Sequence, residues 1–174
     1  MSITTSIKKA VRNVEKTVTG EEPQIDLLDT LKEEHEEVAA LLKQLVESDN
    51  ARERKSLLAK IKGALIPHVR AEEKVLYDAI IAVKDKNAKQ DGEEGYIEHS
   101  LADKTLKDLG KITNATSPEF GAAAKVLKEL IEHHVQEEEN NVWSDVKKNF
   151  SSEDRIAMNR KFLALKKTVP VPEY

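Results

Sequence analysis

The sequence predicts an all-α fold: an up-down-up-down four-helix bundle with short extra helices at the N- and C-terminus. Three observations carry that expectation. Apolar residues recur at helical spacing along most of the chain. Charged residues reach 34%, against only 6 glycines, 5 prolines and a 4% aromatic content, which suits long helices with exposed faces better than a strand-rich sandwich. Finally, the decamer HVRAEEKVLY from His68 to Tyr77 returns almost in register as HVQEEENNVW from His134 to Trp143, so two similar helix pairs are the economical solution. At 174 residues, one domain with a real core is the natural size.

Taken in order, Ile3, Ile7, Val11, Val14 and Val18 mark an amphipathic N-terminal helix over residues 1–20, stopped by Gly20-Glu21-Glu22-Pro23. Lys8, Lys9, Arg12 and Lys16 lie among its polar positions, and the helix is expected to pack on the bundle or on a protein partner. The bundle and a C-terminal helix occupy 25–167. The first core helix runs from about Asp26 to Glu47, with Leu28, Leu31, His35, Val38, Leu42 and Leu45 on one stripe. The second, from about Ala51 to Val83, aligns Leu58, Ile61, Leu65, His68, Glu72 and Ala79, with a kink expected at Pro67. A polar connection with glycines is expected around Lys84 to Gly95. The third helix then carries Tyr96, His99, Asp103 and Leu106 on one side and stops near Gly110. Ser117-Pro118-Glu119 opens the fourth, whose stripe includes Leu127, His134, Glu138, Val142 and Val146. Ser151 or Ser152 caps a last helix to about Lys167, followed by an irregular tail over 168–174.

Composition narrows the chemistry. Without cysteine there are no disulfides, thiolate zinc sites or iron–sulfur clusters, and a metal has only imidazole and carboxylate to bind. A net charge of −4 with interleaved signs offers no basic face for nucleic acid. No apolar run reaches the length of a membrane span, and the N-terminus has no apolar signal core, so a cytoplasmic location is expected.

The repeat is richest in functional content. Each His-x-x-x-Glu unit places its two side chains one above the other on a helix face, and each is preceded by a solitary histidine, His35 or His99. Glu72 and Glu138 both face inward in this reading. Burying them without a counter-charge would cost several kcal/mol each, and these stripes carry no lysine or arginine. A pair of metal ions supplies the charge, and imidazole with carboxylate suits iron first, manganese or zinc otherwise. His35 and His68 would hold one ion, His99 and His134 the other, with Glu72 and Glu138 spanning both. At His133-His134 the apolar register selects His134. Asp103 shares the face of His99 and is open to a ligand or outer role, and Tyr96 could line the same cavity. Glu73 and Glu139, about 100° around the helix from the inward pair, read as solvated charges. Tyr77 and Trp143 read as packing residues.

With H35, H68-x-x-x-E72, H99 and H134-x-x-x-E138 in place, the chain resembles the hemerythrin-like, or HHE cation-binding, family over about residues 25 to 167. DLLDTLKEEHEEV around His35 and the tail helix SSEDRIAMNRKFLALK are part of the likeness. The resemblance implies a non-haem di-iron centre, two Fe2+ or Fe3+ ions with an oxo or hydroxo bridge open to them. It also implies roles in binding O2, in sensing oxygen, NO or iron, or in peroxide breakdown. The six matched positions are His35, His68, Glu72, His99, His134 and Glu138, with no catalytic residue singled out. Oxygen-carrying hemerythrin has HxxxH on its third helix, where this chain has His99 and Asp103. Its fourth helix places a histidine five residues before an acidic ligand, which here would be His133. Those departures favour redox chemistry or tight ferric binding over reversible carriage. The expected function is therefore an O2-, NO- or peroxide-interacting di-iron protein. The alternatives are a catalase-like enzyme and an iron or oxygen sensor acting through a partner.

Overall fold

A computed structural model describes residues 24–173 of the chain. Helix α1 (Leu27–Glu47) is started by Asp26, whose carboxylate accepts the Leu28 amide at 3.0 Å, and its stripe of Leu31, Val38, Leu42 and Leu45 is buried with His35 inside it. After a short loop Asn50 accepts the amides of Arg52 and Glu53, and α2 begins. It is α-helical over Ala51–Glu72, widens into a π turn at Glu73–Tyr77 and ends as Asp78–Ala82. Helix α3 covers Lys86–Lys111. Helix α4 covers Pro118–Glu137, a second π turn at Glu138–Val142, and Trp143–Asn149. Ser117 caps α4 with Pro118 in its first turn, and Ser151 caps α5 (Ser152–Lys166) in a reciprocal box with Asp154.

One local expectation is corrected. The segment from Lys86 to Gly95 is helix, not loop, because Asp85 caps it through the Asn87 and Ala88 amides. Its glycines serve close packing rather than a turn: a Cβ on Gly92 would stand 2.8 Å from Ile81 Cγ1, and one on Gly95 only 2.5 Å from Tyr77 Cζ. The helix ends at Lys111, next to Gly110 as expected. Helix α2 is α-helical through Pro67, and a π turn follows at Glu73–Tyr77. The N-terminal helix expected over 1–20 lies outside the described residues, and residues 169–173 carry no regular structure.

Gly95→Ala is expected to lower the melting temperature although alanine is the better helix former. The gain in propensity is about 1 kcal/mol, whereas displacing a buried aromatic ring costs about 1–3 kcal/mol. Calorimetry on the variant checks the sign.

Helix α1 packs on α2 and α4, and α3 packs on α4 and on the far end of α2, so the four rods close on one another while α5 lies across α1 and α2. Arg155 binds Asp26 at 2.7 Å and Asn159 donates to the Ile25 carbonyl at 3.0 Å, latching α5 to the start of α1. Two apolar clusters form the core. One is built around Leu42, Leu45, Ile61, Leu106 and Phe120, the other around Leu27, Leu31, Leu76, Val146 and Phe162. On α1, His35 falls between Leu31 of the second cluster and Val38 of the first, and His134 on α4 falls between Ile131 and Val142 in the same way. The core is thus parted by a polar layer. No helix among the described residues is long and apolar enough to cross a membrane.

Candidate metal centre

All six residues of the repeated pattern meet in that polar layer. His35, His68, His99 and His134 are at most 5% exposed, Glu72 is fully buried and Glu138 is 1% exposed. Donor atoms of His35, His68 and Glu72 all lie within 4.8 Å of one another, and so do those of Glu72, His99 and His134. Glu72 belongs to both groups, with one oxygen 3.5 Å from His68 Nε2 and 3.3 Å from His99 Nε2. Glu138 repeats the arrangement at 3.6 Å from His134 Nε2 and 3.4 Å from His35 Nε2. The rings pair in matched fashion too, at 5.1 Å and 62° for His35 with His68 and 4.6 Å and 63° for His99 with His134. The centre has a local two-fold axis.

A second ring of carboxylates stands behind the imidazoles. Glu34 accepts from His68 Nδ1 at 2.9 Å and Glu98 from His134 Nδ1 at 2.8 Å. Glu139 accepts from His35 Nδ1 at 3.2 Å, and Glu73 stands 3.3 Å from His99 Nδ1. An ionised carboxylate only accepts, so Glu34, Glu98 and Glu139 hold a proton on the Nδ1 they face and turn the Nε2 side of each ring to the centre, which is how imidazoles are oriented toward a metal. Glu73 and Glu139 are therefore not solvated charges, because each reaches a histidine on the neighbouring helix. Lys166 of α5 binds Glu34, and Arg70 binds both Glu73, at 2.9 Å, and Asp103.

Electrostatically the six groups are in tension. Burial pushes the Glu72 carboxyl up, but the facing His68 and His99 overcome it and hold it well below the usual range. Burial and then the charge of Glu72 push Glu138 up. Burial pulls His68 down, yet Glu72 and Glu34 prevail and raise it to about 10, while burial and the nearby His68 charge lower His35 to about 3. His99 Nε2 and His134 Nε2 face each other at 3.1 Å, one donating to the other. Both oxygens of Glu72, one of Glu138 and His35 Nε2 are buried with no hydrogen-bond partner. Such orphaned acceptors converging on one point suit a cation. Nitrogen and oxygen donors in this mixture fit iron, manganese or zinc.

The structure does not bring Asp103 or Tyr96 into this cluster. Arg70, on the neighbouring helix, claims Asp103, and the Tyr96 hydroxyl donates to Asp78 at 2.6 Å, with the Glu73 carbonyl 3.1 Å away. Tyr77 and Trp143 are closer to the centre than their packing role suggested. The Trp143 ring stacks on His35 at 6.1 Å and its N–H donates to Glu138 at 3.1 Å, while the Tyr77 ring lies 5.2 Å from His99. Each sits at the end of a π turn or just beyond one, a distortion frequent at functional sites.

A four-helix bundle that turns one imidazole from each helix and two carboxylates onto a buried centre defines a class of bundle-core cation-binding proteins. The sequence matches the Hemerythrin HHE cation binding domain over residues 26–143, and the chain belongs to that family. Over 153 residues it is 26% identical to a DNA nickase of Nostoc sp. (strain PCC 7120 / SAG 25.82 / UTEX 2576), a match covering 88% of this chain and 42% of that protein. The chain thus spans less than half the length of that relative. No solved structure matches it.

Proposed function

We propose that the chain holds two metal ions, iron first and manganese or zinc otherwise, and that the centre takes up a small molecule such as O2, NO or peroxide. The reading is supported above all by the two donor groups that share Glu72, each histidine backed at Nδ1 by a carboxylate. His35 and His68 hold one ion, His99 and His134 the other, and Glu72 and Glu138 reach both. An iron pair in this setting supplies electrons to, or accepts them from, the bound molecule. The protein's part is to fix the imidazoles, to balance charge and to exclude bulk water with the apolar layers on either side. Nucleic acid is not part of the proposal, since both charge signs are interleaved along the chain. Protein loaded anaerobically with ferrous iron and desalted is expected to retain about two irons per chain. Retention of none overturns the proposal.

A further inference from the structure

The two-fold pattern of the centre is approximate, and one departure falls at a pair of aromatic residues. Tyr77 and Trp143 occupy matched positions against His99 and His35, and Trp143 spends its N–H on Glu138 at 3.1 Å. The Tyr77 hydroxyl is fully buried and has no partner. It does not wander into that state: Gly95 alone leaves room for it, since a Cβ there would stand 2.9 Å from the hydroxyl oxygen. Beside it lies a cavity of about 20 Å³, walled by Gly95, His134 and Tyr77 and by five acidic residues, Glu98 and Glu138 among them. That is room for a water-sized ligand. The second cavity at the centre, bounded by His35, His68 and His134, is about 10 Å³ and has mainly apolar walls apart from Glu34 and the histidines. A phenol O–H kept from every protein acceptor, beside a polar cavity at the donor cluster, is a donor held in reserve.

We propose that Tyr77 donates a hydrogen bond to a small ligand with exposed lone pairs, of the peroxide, hydroxide or azide kind, taken up in this cavity. The inference rests on the proposed function, because the ligand is the one the metal centre accepts. Tyr77 is then a positioning residue that selects for ligands with a basic atom and against inert diatomics. A phenol ordinarily titrates at about 10, so it is protonated at neutral pH, as a donor must be.

The test uses azide on the iron-loaded, oxidised full chain. Tyr77→Phe removes the hydroxyl and nothing else. It is expected to keep two irons per chain and its melting temperature, while azide affinity by optical titration falls about tenfold or more, the range for a hydrogen bond to a charged acceptor. The azide stretch of the native protein should shift between H2O and D2O, and that shift should vanish in the variant. Trp143→Phe, whose lost donor serves Glu138 instead, should keep it. Unchanged azide affinity with no isotope shift overturns the proposal. So does a phenolate-to-iron absorption band that disappears in Tyr77→Phe, since it would make Tyr77 a ligand. A native chain that retains no iron instead overturns the proposed function, and the iron count separates that failure from the others.

Discussion

Glu72→Ala is expected to give a folded bundle that no longer retains metal. Glu72 is the one residue common to both donor groups, so its loss removes an oxygen from each ion at once. Changes to residues that only orient a ligand typically weaken metal binding about 10–100-fold. Removal of a shared ligand should exceed that, and chelator competition should show a loss above about 100-fold, against an intermediate loss for Glu73→Gln. The bundle should survive, because the apolar clusters on either side of the centre do not include Glu72. Native-like iron retention in Glu72→Ala would remove the carboxylate from any shared role.

Stripping the metal is expected to produce the second large effect. With free metal at about a thousand times its dissociation constant, binding stabilises the native state by about 4 kcal/mol. At about 2–4 °C per kcal/mol for a chain of this size, chelation should lower the melting temperature by about 8–16 °C. The gap should narrow in acid, because ligands must shed protons to bind metal. In the metal-free chain the signs oppose each other. His68, raised to about 10, contributes stability that is complete below its unfolded value near 6.5 and is lost as pH rises through about 10. His35, lowered to about 3, contributes stability present above about 6.5 and lost as pH falls through about 3. Paired melts with and without chelator at pH 8, 7 and 6 read the effect, and identical curves would rule out a metal that binds the native state.

The inward six were legible in sequence because each lies in an apolar stripe, where a polar residue stands out against its neighbours. The carboxylates behind them were harder to see. Glu73 and Glu139 sit about 100° from the inward face of their own helix, and only the approach of the next helix gives them a histidine. Yet a trace was present: Glu34-His35 and Glu98-His99 share one dipeptide, and Glu72-Glu73 and Glu138-Glu139 another. Extending the stretches from His35 to Glu72 and from His99 to Glu138 by one residue on each side would have included all four. Asp103 is an outer residue and not a ligand for the opposite reason. Its spacing from His99 is right, but Arg70, on the neighbouring helix, takes its carboxylate. The glycines at 92 and 95 likewise read as loop formers until Ile81 and Tyr77 are seen pressed against them.

The outer carboxylates have a directionality of their own. Glu34 on α1 serves His68 on α2, Glu73 on α2 serves His99 on α3, Glu98 on α3 serves His134 on α4, and Glu139 on α4 returns to His35 on α1. The hand-off is cyclic, and exchanging α1 and α2 with α3 and α4 maps it onto itself. These four contacts thus follow the two-fold pattern that a closed pair of identical half-length chains would make. The present chain reproduces that pattern within one polypeptide, with the connection between Ala82 and Lys86 joining the halves. Tyr77 and Trp143, the matched positions that differ, are where a joined pair gains a freedom that an identical one lacks: its two ends need not do the same work.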